Sequence, residues 1–285
     1  MSDKGQAQWF GGLGPRHSFL FPPLWLKKIR MTAIAVPYTS FGFAIAADGR
    51  QRRETLVGAE GSEEAQKIFE IKRKDATFAY TLSGDVASQG RLFDLAIEIR
   101  NQLAHIERSR FFTLRGFVKA LSGRLESAIH LAMTEGRIQG YPECEITLAG
   151  YFHGRHCLVN IQFHRYGDGL RRRNIIRRPP PGSCFYTGSE RIANLVSLGE
   201  FAECQPLGEN ASLQAATEHA IGYIQLCSSA LARAHDPDCD SIGGHIHAAT
   251  VTPPIRSLTA RIWRWITRRP APQTGFQWIR PPLFS

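Results

Sequence analysis

Two apolar runs, residues 32–38 and 42–48, are separated only by the short break Thr39-Ser40-Phe41. Runs of that length with so brief an interruption fold most readily as a β-hairpin, here centred on Ser40. In that register residues whose numbers add to 80 face one another, so Thr32 opposes Asp48. Main-chain pairing would then hold a hydroxyl and a carboxylate within several ångströms of each other. The same pattern also describes an ordinary buried hairpin that ends in an Asp-Gly turn. Lys67 adds chemistry to it. It opens a short β-like run after a mixed stretch, residues 55–65, that brings the chain back beside the first strand. A lysine there pairs with Asp48 and stays cationic near the Thr32 hydroxyl, which favours deprotonation of that hydroxyl.

The order Thr32-Ala33-Ile34-Ala35-Val36, then Gly42-Phe43-Ala44-Ile45-Ala46-Ala47-Asp48-Gly49-Arg50, then Gln66-Lys67-Ile68-Phe69 resembles the opening of a proteasome β subunit. The likeness includes the form found in the bacterial two-component ATP-dependent protease. It implies a threonine-type endopeptidase on the four-layer αββα sandwich of N-terminal nucleophile hydrolases, where pattern alone gives only an α+β class. In that reading Thr32 is the nucleophile and its own α-amine the base, Lys67 supplies positive charge, and Asp48 orients Lys67. An α-amine with a pKa of about 7.7–8.0 is suited to taking the hydroxyl proton near neutral pH. The interval from Asp48 to Lys67 is a few residues longer than the family's usual one, which implies an insertion in the intervening loop.

Further matches follow. Ser83-Gly84 resembles the family's small-residue-Gly element, whose glycine N–H helps form the oxyanion hole, a role that falls here to Gly84. Gly188-Ser189 resembles the family's Gly-Ser turn, whose serine lies near the nucleophile; Ser189 also reads as a helix N-cap followed by Glu190. Asp238-Cys239-Asp240-Ser241-Ile242-Gly243-Gly244 resembles an Asp-x-x-Ser-Gly-Gly stretch with one residue too many. Either Asp238 and Ser241 take the supporting roles and Ile242 is an insertion, or the glycines set the register and those positions hold Cys239 and Ile242. The resemblance further implies polypeptide substrates, a homo-oligomeric ring, an ATPase unfoldase as partner, and neither cofactor nor metal. The rival reading is a non-catalytic scaffold that keeps the sandwich and docks partners through its tails.

Charge separates the flanks from the body. Of 35 basic and 25 acidic residues, residues 1–31 hold five and one, and residues 254–285 hold six arginines and no acid, leaving 24 of each sign in residues 32–253. All five tryptophans also lie in the flanks. The net charge of +10 is therefore no sign of a nucleic-acid face on the body, and no specific nucleic-acid partner is expected. Residues 1–31 read as an extension outside the mature protein, since Met31 precedes a small residue and can itself be an initiator. The apolar stretch 18–26 is proline-broken, too short to span a bilayer, and followed rather than preceded by Lys27 and Lys28. Residues 32–253 read as one hydrolase domain and 254–285 as a basic Trp/Arg/Pro-rich tail. Six cysteines without a C-x-x-C pair suit reduced thiols in a cytoplasmic protein.

Periodicity predicts strands over 76–82, 145–152, 156–163 and 246–251, and helices over 87–105, 114–133 and 213–233. Phe117, Leu121, Leu125 and Ile129 form the apolar stripe of the second helix. Arg171-Arg172-Arg173 and Arg177-Arg178 read as a solvated loop. Residues 255–269 read as a basic amphipathic helix suited to a neighbouring subunit or an anionic membrane. His245 and His247 would share a strand face, as two metal ligands might, but spacing supplies no third ligand and the aspartates around them miss the EF-hand template.

Overall fold

The computed structural model describes residues 32–55, 58–62, 65–87, 92–254 and 275–279. The extension 1–31 and the helix expected over 255–269 lie outside them.

Strands β1 (Ile34–Thr39) and β2 (Gly42–Asp48) form the expected hairpin, with its register shifted by one residue. Ile34 pairs with Ala47 and Thr39 with Gly42, so the loop is the two residues Ser40-Phe41 and not three. Thr39 helps to close the loop: its hydroxyl accepts from Phe41 N at 3.2 Å and donates to the Gly42 carbonyl at 3.3 Å. Asp48 therefore lies beside Ala33, to whose carbonyl its N–H donates at 3.1 Å, and not opposite Thr32.

Two antiparallel five-stranded sheets follow. The first runs in the order β10 (Cys184–Thr187), β1, β2, β11 (Ile246–Val251), β12 (Phe276–Ile279). The second runs β5 (Ile68–Lys72), β6 (Ala76–Gly84), β7 (Cys144–Phe152), β8 (Arg155–Tyr166), β9 (Gly169–Arg177). The longer interval after Asp48 is occupied by a separate hairpin, β3 (Gln51–Thr55) with β4 (Gly58–Ser62). Helices α1 (Leu95–Ile106) and α2 (Leu114–Thr134) connect β6 to β7. α3 (Glu190–Ser197), α4 (Leu213–Cys227) and α5 (Ala230–His235) lie between β10 and β11.

Alternation along each strand divides the core. On β1, Ile34, Val36 and Tyr38 meet Ile68, Ala79, Ala149 and Leu158 of the second sheet. Ala33 and Ala35, with Ala46 and Ala248, face Ala220, Tyr223 and Ile224 of α4 instead. The even-numbered residues of β6 and β7, among them Phe78, Tyr80, Ile146 and Leu148, pack against α1 and α2. There the α2 stripe Phe117, Leu121, Leu125 and Ile129 is fully buried. Each such side chain stabilises the fold by about 1.5–3 kcal/mol.

Several elements differ from the sequence pattern. α1 begins only at Leu95, where Asp94 caps it by accepting from Ala96 N at 2.8 Å and Ile97 N at 3.2 Å. The helix expected over 213–233 breaks after Cys227 and restarts as α5 behind the cap Ser229. The arginine run expected as a loop is the edge strand β9, where charged side chains blunt the outer edge. One of them, Arg172, pairs with Glu126 of α2 at 3.1 Å. β10 and β12 have only four residues each, too few for a period to show. β12 also brings part of the tail into the first sheet, beyond the expected domain end at residue 253. All six cysteines are unpaired thiols. Among the described residues no helix is long and apolar enough to cross a membrane.

On β7, Gly150 lies against β6, where a Cβ would be 2.1 Å from the Thr77 carbonyl oxygen. Gly150→Ala is expected to lower stability by about 1–3 kcal/mol through overpacking, read as a reduced urea midpoint with an unchanged slope.

Candidate active site

The site is assembled from both sheets. Thr32 precedes β1, Asp48 closes β2, and Lys67 stands immediately before β5; their exposures are 9%, 0% and 6%. Ala65 N donates to the Gly49 carbonyl at 2.9 Å, which closes the β3–β4 excursion and returns the chain to Asp48. Lys67 Nζ then donates to Asp48 Oδ1 at 3.0 Å, to Thr32 Oγ1 at 3.3 Å and to the Arg50 carbonyl at 2.6 Å. An ammonium has three donors, and all three are used. The expected meeting of Thr32 and Asp48 is thus made through Lys67.

Asp48 is satisfied on both oxygens: Oδ1 also accepts from Ala33 N at 3.0 Å, and Oδ2 from Gly243 N at 3.3 Å. Burial pushes the Lys67 pKa below its ordinary value and the charge of Asp48 pulls it back, while Arg50 adds to the lowering. Burial pushes Asp48 upward, against the Lys67 charge and the hydrogen bonds it accepts. Every one of those bonds favours the ionised pair, since the ammonium gives all of its protons and the carboxylate receives three.

Thr187, at the end of β10, donates its hydroxyl to the Thr32 carbonyl at 2.9 Å. The next residue, Gly188, has φ +100°, and a Cβ on it would lie 3.1 Å from Ala33 Cα. Only glycine takes that backbone conformation without strain at so close an approach. Ser189 then serves two ends: its hydroxyl caps α3 by accepting from Ile192 N at 3.0 Å and donates to Asp236 Oδ2 at 2.5 Å. Its partner is Asp236, two residues before Asp238.

Asp238 and Ser241 lie in the 3-10 turn Pro237–Ser241. There Asp238 N donates to Asp236 Oδ1 at 3.0 Å and Ser241 Oγ to the Asp238 carbonyl at 2.9 Å. Cys239 and Ile242 point into the apolar layer under the first sheet and are 0% and 1% exposed. The Arg50 guanidinium donates to the carbonyls of Asp240 and Ile242 at 3.1 and 3.3 Å, and the Arg50 main-chain N–H donates to the Gly243 carbonyl at 2.8 Å. Gly84 closes β6 opposite Cys144. The pairing of Ile68 with Thr81, continued by one residue, sets Lys67 opposite Leu82, so Gly84 stands at the same end of the second sheet as Lys67.

Sequence reasoning missed Thr187, Asp236 and Arg50. Thr187 stands beside Gly188-Ser189 and Arg50 beside Asp48-Gly49, but neither type is distinctive there, and Asp236 was one of three alternating aspartates. His245 and His247 do share a face, with ring centroids 5.2 Å apart. Among the described residues no group of three or more His, Cys, Asp or Glu is placed to hold a metal ion.

No protein-family model matches the chain, and no curated protein does. Solved structures do match. Anbu (ancestral beta-subunit) from Yersinia bercovieri superposes with a TM-score of 0.50 over 83% of this chain and 93% of that one, at 13% identity. A Gly-1 mutant of Anbu from Hyphomicrobium sp. strain MC1 gives a TM-score of 0.49 over 84% and 95%, also at 13% identity. At that identity the likeness is one of fold, and the fold is that of a proteasome-like β subunit.

Removing the charge of Asp48 leaves Lys67 buried without its counter-ion. Asp48→Asn is expected to cost about 3–5 kcal/mol near pH 7. Lys67 would then be neutral when folded and protonated when unfolded, so the unfolded chain binds the extra proton and stability rises with pH. Urea unfolding at pH 7 and pH 10 should show the deficit shrinking as the unfolded lysine approaches its own pKa.

Proposed function

We propose that this chain is a proteasome-like threonine peptidase subunit that hydrolyses peptide bonds through an acyl-enzyme on Thr32. The observation that carries the reading is the buried Lys67 ammonium shared between Thr32 Oγ1 at 3.3 Å and Asp48 Oδ1 at 3.0 Å. Three successive apolar layers, helices on sheet, sheet on sheet and sheet on helices, support a four-layer αββα sandwich of the N-terminal nucleophile type.

The mechanism operates on a chain that begins at Thr32. Its α-amine takes the Oγ1 proton as Oγ1 attacks the substrate carbonyl, and the cationic Lys67 stabilises the developing alkoxide. Asp48 keeps Lys67 charged and aimed. The Gly84 N–H is assigned to the oxyanion of the tetrahedral intermediate. The proton passes to the leaving amine, and water, deprotonated by the same α-amine, then hydrolyses the ester. Ser189, with its partner Asp236, and the turn carrying Asp238 and Ser241 are assigned to supporting the amine side of the site. Polypeptides are the substrates, and the likeness to a protein described as a β subunit supports work in a ring of copies; an ATPase unfoldase is the partner that the sequence resemblance implies.

Thr32→Ala is expected to abolish peptide hydrolysis while circular dichroism and the urea midpoint stay near wild type. Full activity in a clean preparation of that variant would exclude the mechanism. The pH dependence should be bell-shaped. kcat/KM rises as the α-amine loses its proton, at about 7.7–8.0 for an unperturbed amine, and falls as Lys67 loses its own at a pKa below the ordinary lysine value. A profile without an alkaline limb below that value would remove Lys67 from the reaction.

A further inference from the structure

The peptide unit that joins Thr32 to Ala33 is gripped on both edges. Its carbonyl accepts from Thr187 Oγ1 at 2.9 Å, and its N–H donates to Asp48 Oδ1 at 3.0 Å. A peptide unit is planar and trans, so two hydrogen bonds on opposite edges fix its plane and with it the position of Thr32 Cα and the direction of the Thr32 Cα–C bond. The nucleophile is left with only its ψ and χ1 to settle. Lys67 engages the hydroxyl that χ1 positions.

Thr187 is itself anchored. It ends β10 in register with Ile34 of β1, and its main-chain carbonyl accepts from the Tyr223 hydroxyl of α4 at 3.0 Å. Tyr223 is fully buried under the first sheet, packed on the Tyr186 ring with centroids 4.5 Å apart. A continuous line of contacts therefore leads from the helical layer, through Thr187, to the main chain of Thr32.

We propose that Thr187 is a positioning residue for the nucleophile, its hydroxyl holding the Thr32 carbonyl while Tyr223 holds Thr187. This rests on the reading of Thr32 as nucleophile. Thr187 acts through the Thr32 main chain and not on the reacting hydroxyl, so its loss lowers turnover and leaves substrate affinity in place. A misplacement on the order of 1 Å can cost about 100-fold in rate.

Thr187→Val keeps the shape of the side chain and removes the hydroxyl; Thr187→Ser keeps the hydroxyl. Two quantities are measured on protein purified from its native host: peptide hydrolysis, and hydrogen exchange of the Ala33 amide in the full chain. Thr187→Val is expected to lower kcat by about 10–100-fold with KM within about twofold, and to speed Ala33 exchange several-fold. Thr187→Ser should restore both. Ala33 exchange that is the same in wild type, Val and Ser would overturn the proposal, as would faster exchange with kcat unchanged. If Thr187→Val does not fold, Tyr223→Phe reads the same line of contacts, with a smaller change in the same direction in both quantities expected and no change in either overturning it. A wild-type protein without hydrolysis would count against the peptidase reading, and Ala33 exchange would then decide by itself whether Thr187 holds the Thr32 main chain.

Discussion

A buried charge pair between the two sheets sets the terms for everything around it. Lys67 reaches from the edge of the second sheet to Asp48 at the end of a strand in the first, and both side chains are almost wholly out of water. Burying either charge alone would cost several kcal/mol, so each is tolerable only with the other and with every remaining proton and lone pair occupied. That requirement falls on three separate pieces of chain. The Arg50 carbonyl and Thr32 Oγ1 complete Lys67, and the N–H groups of Ala33 and Gly243 complete Asp48.

Those demands explain several local features that look unrelated. The hairpin register puts Ala33, and not Thr32, beside Asp48, which frees the Thr32 hydroxyl to meet the ammonium. The β3–β4 hairpin leaves and returns at Gly49 and Ala65, so that added length does not displace Lys67. Arg50 contributes twice: its carbonyl accepts from Lys67, and its guanidinium holds the loop whose Gly243 N–H points at Asp48. Gly243 has φ +151°, a conformation that favours glycine, and a Cβ there would come within 2.8 Å of that guanidinium. The loop's Cys239 and Ile242 are drawn into the apolar layer, which leaves Asp236 as the carboxylate that meets Ser189.

Much of this was legible in the residues. The hairpin, the α2 stripe and the strands over 145–152 and 246–251 follow from the apolar pattern, because α2 buries one stripe at helical spacing while β1, β2 and β7 are buried on both faces and read as unbroken apolar runs. The Thr32, Asp48 and Lys67 trio was legible from spacing and from resemblance to a proteasome β subunit. The arginine strand β9 was not, since a polar edge strand is specified by its neighbour β8 and not by its own pattern. The break after Cys227 falls at Ser228-Ser229, inside an apolar pattern that runs on through Ala230, Leu231 and Ala232. β10 and β12 are too short to carry a signal, and their pairing with β1 and β11 is what makes them strands.

The chain's own order determined which side chains could do chemistry and that they would lie near one another, because alternation and a short loop leave a hairpin few registers. Only the tertiary structure decided which oxygen meets which nitrogen. A one-residue slip between β1 and β2 costs little in local pattern but reverses every facing pair. That slip was resolved by contacts far along the chain: Thr187 on the Thr32 carbonyl, Gly243 on Asp48, and Asp236 on Ser189. These contacts span up to 195 positions, and no local preference encodes a hydrogen bond that exists only once both sheets have packed.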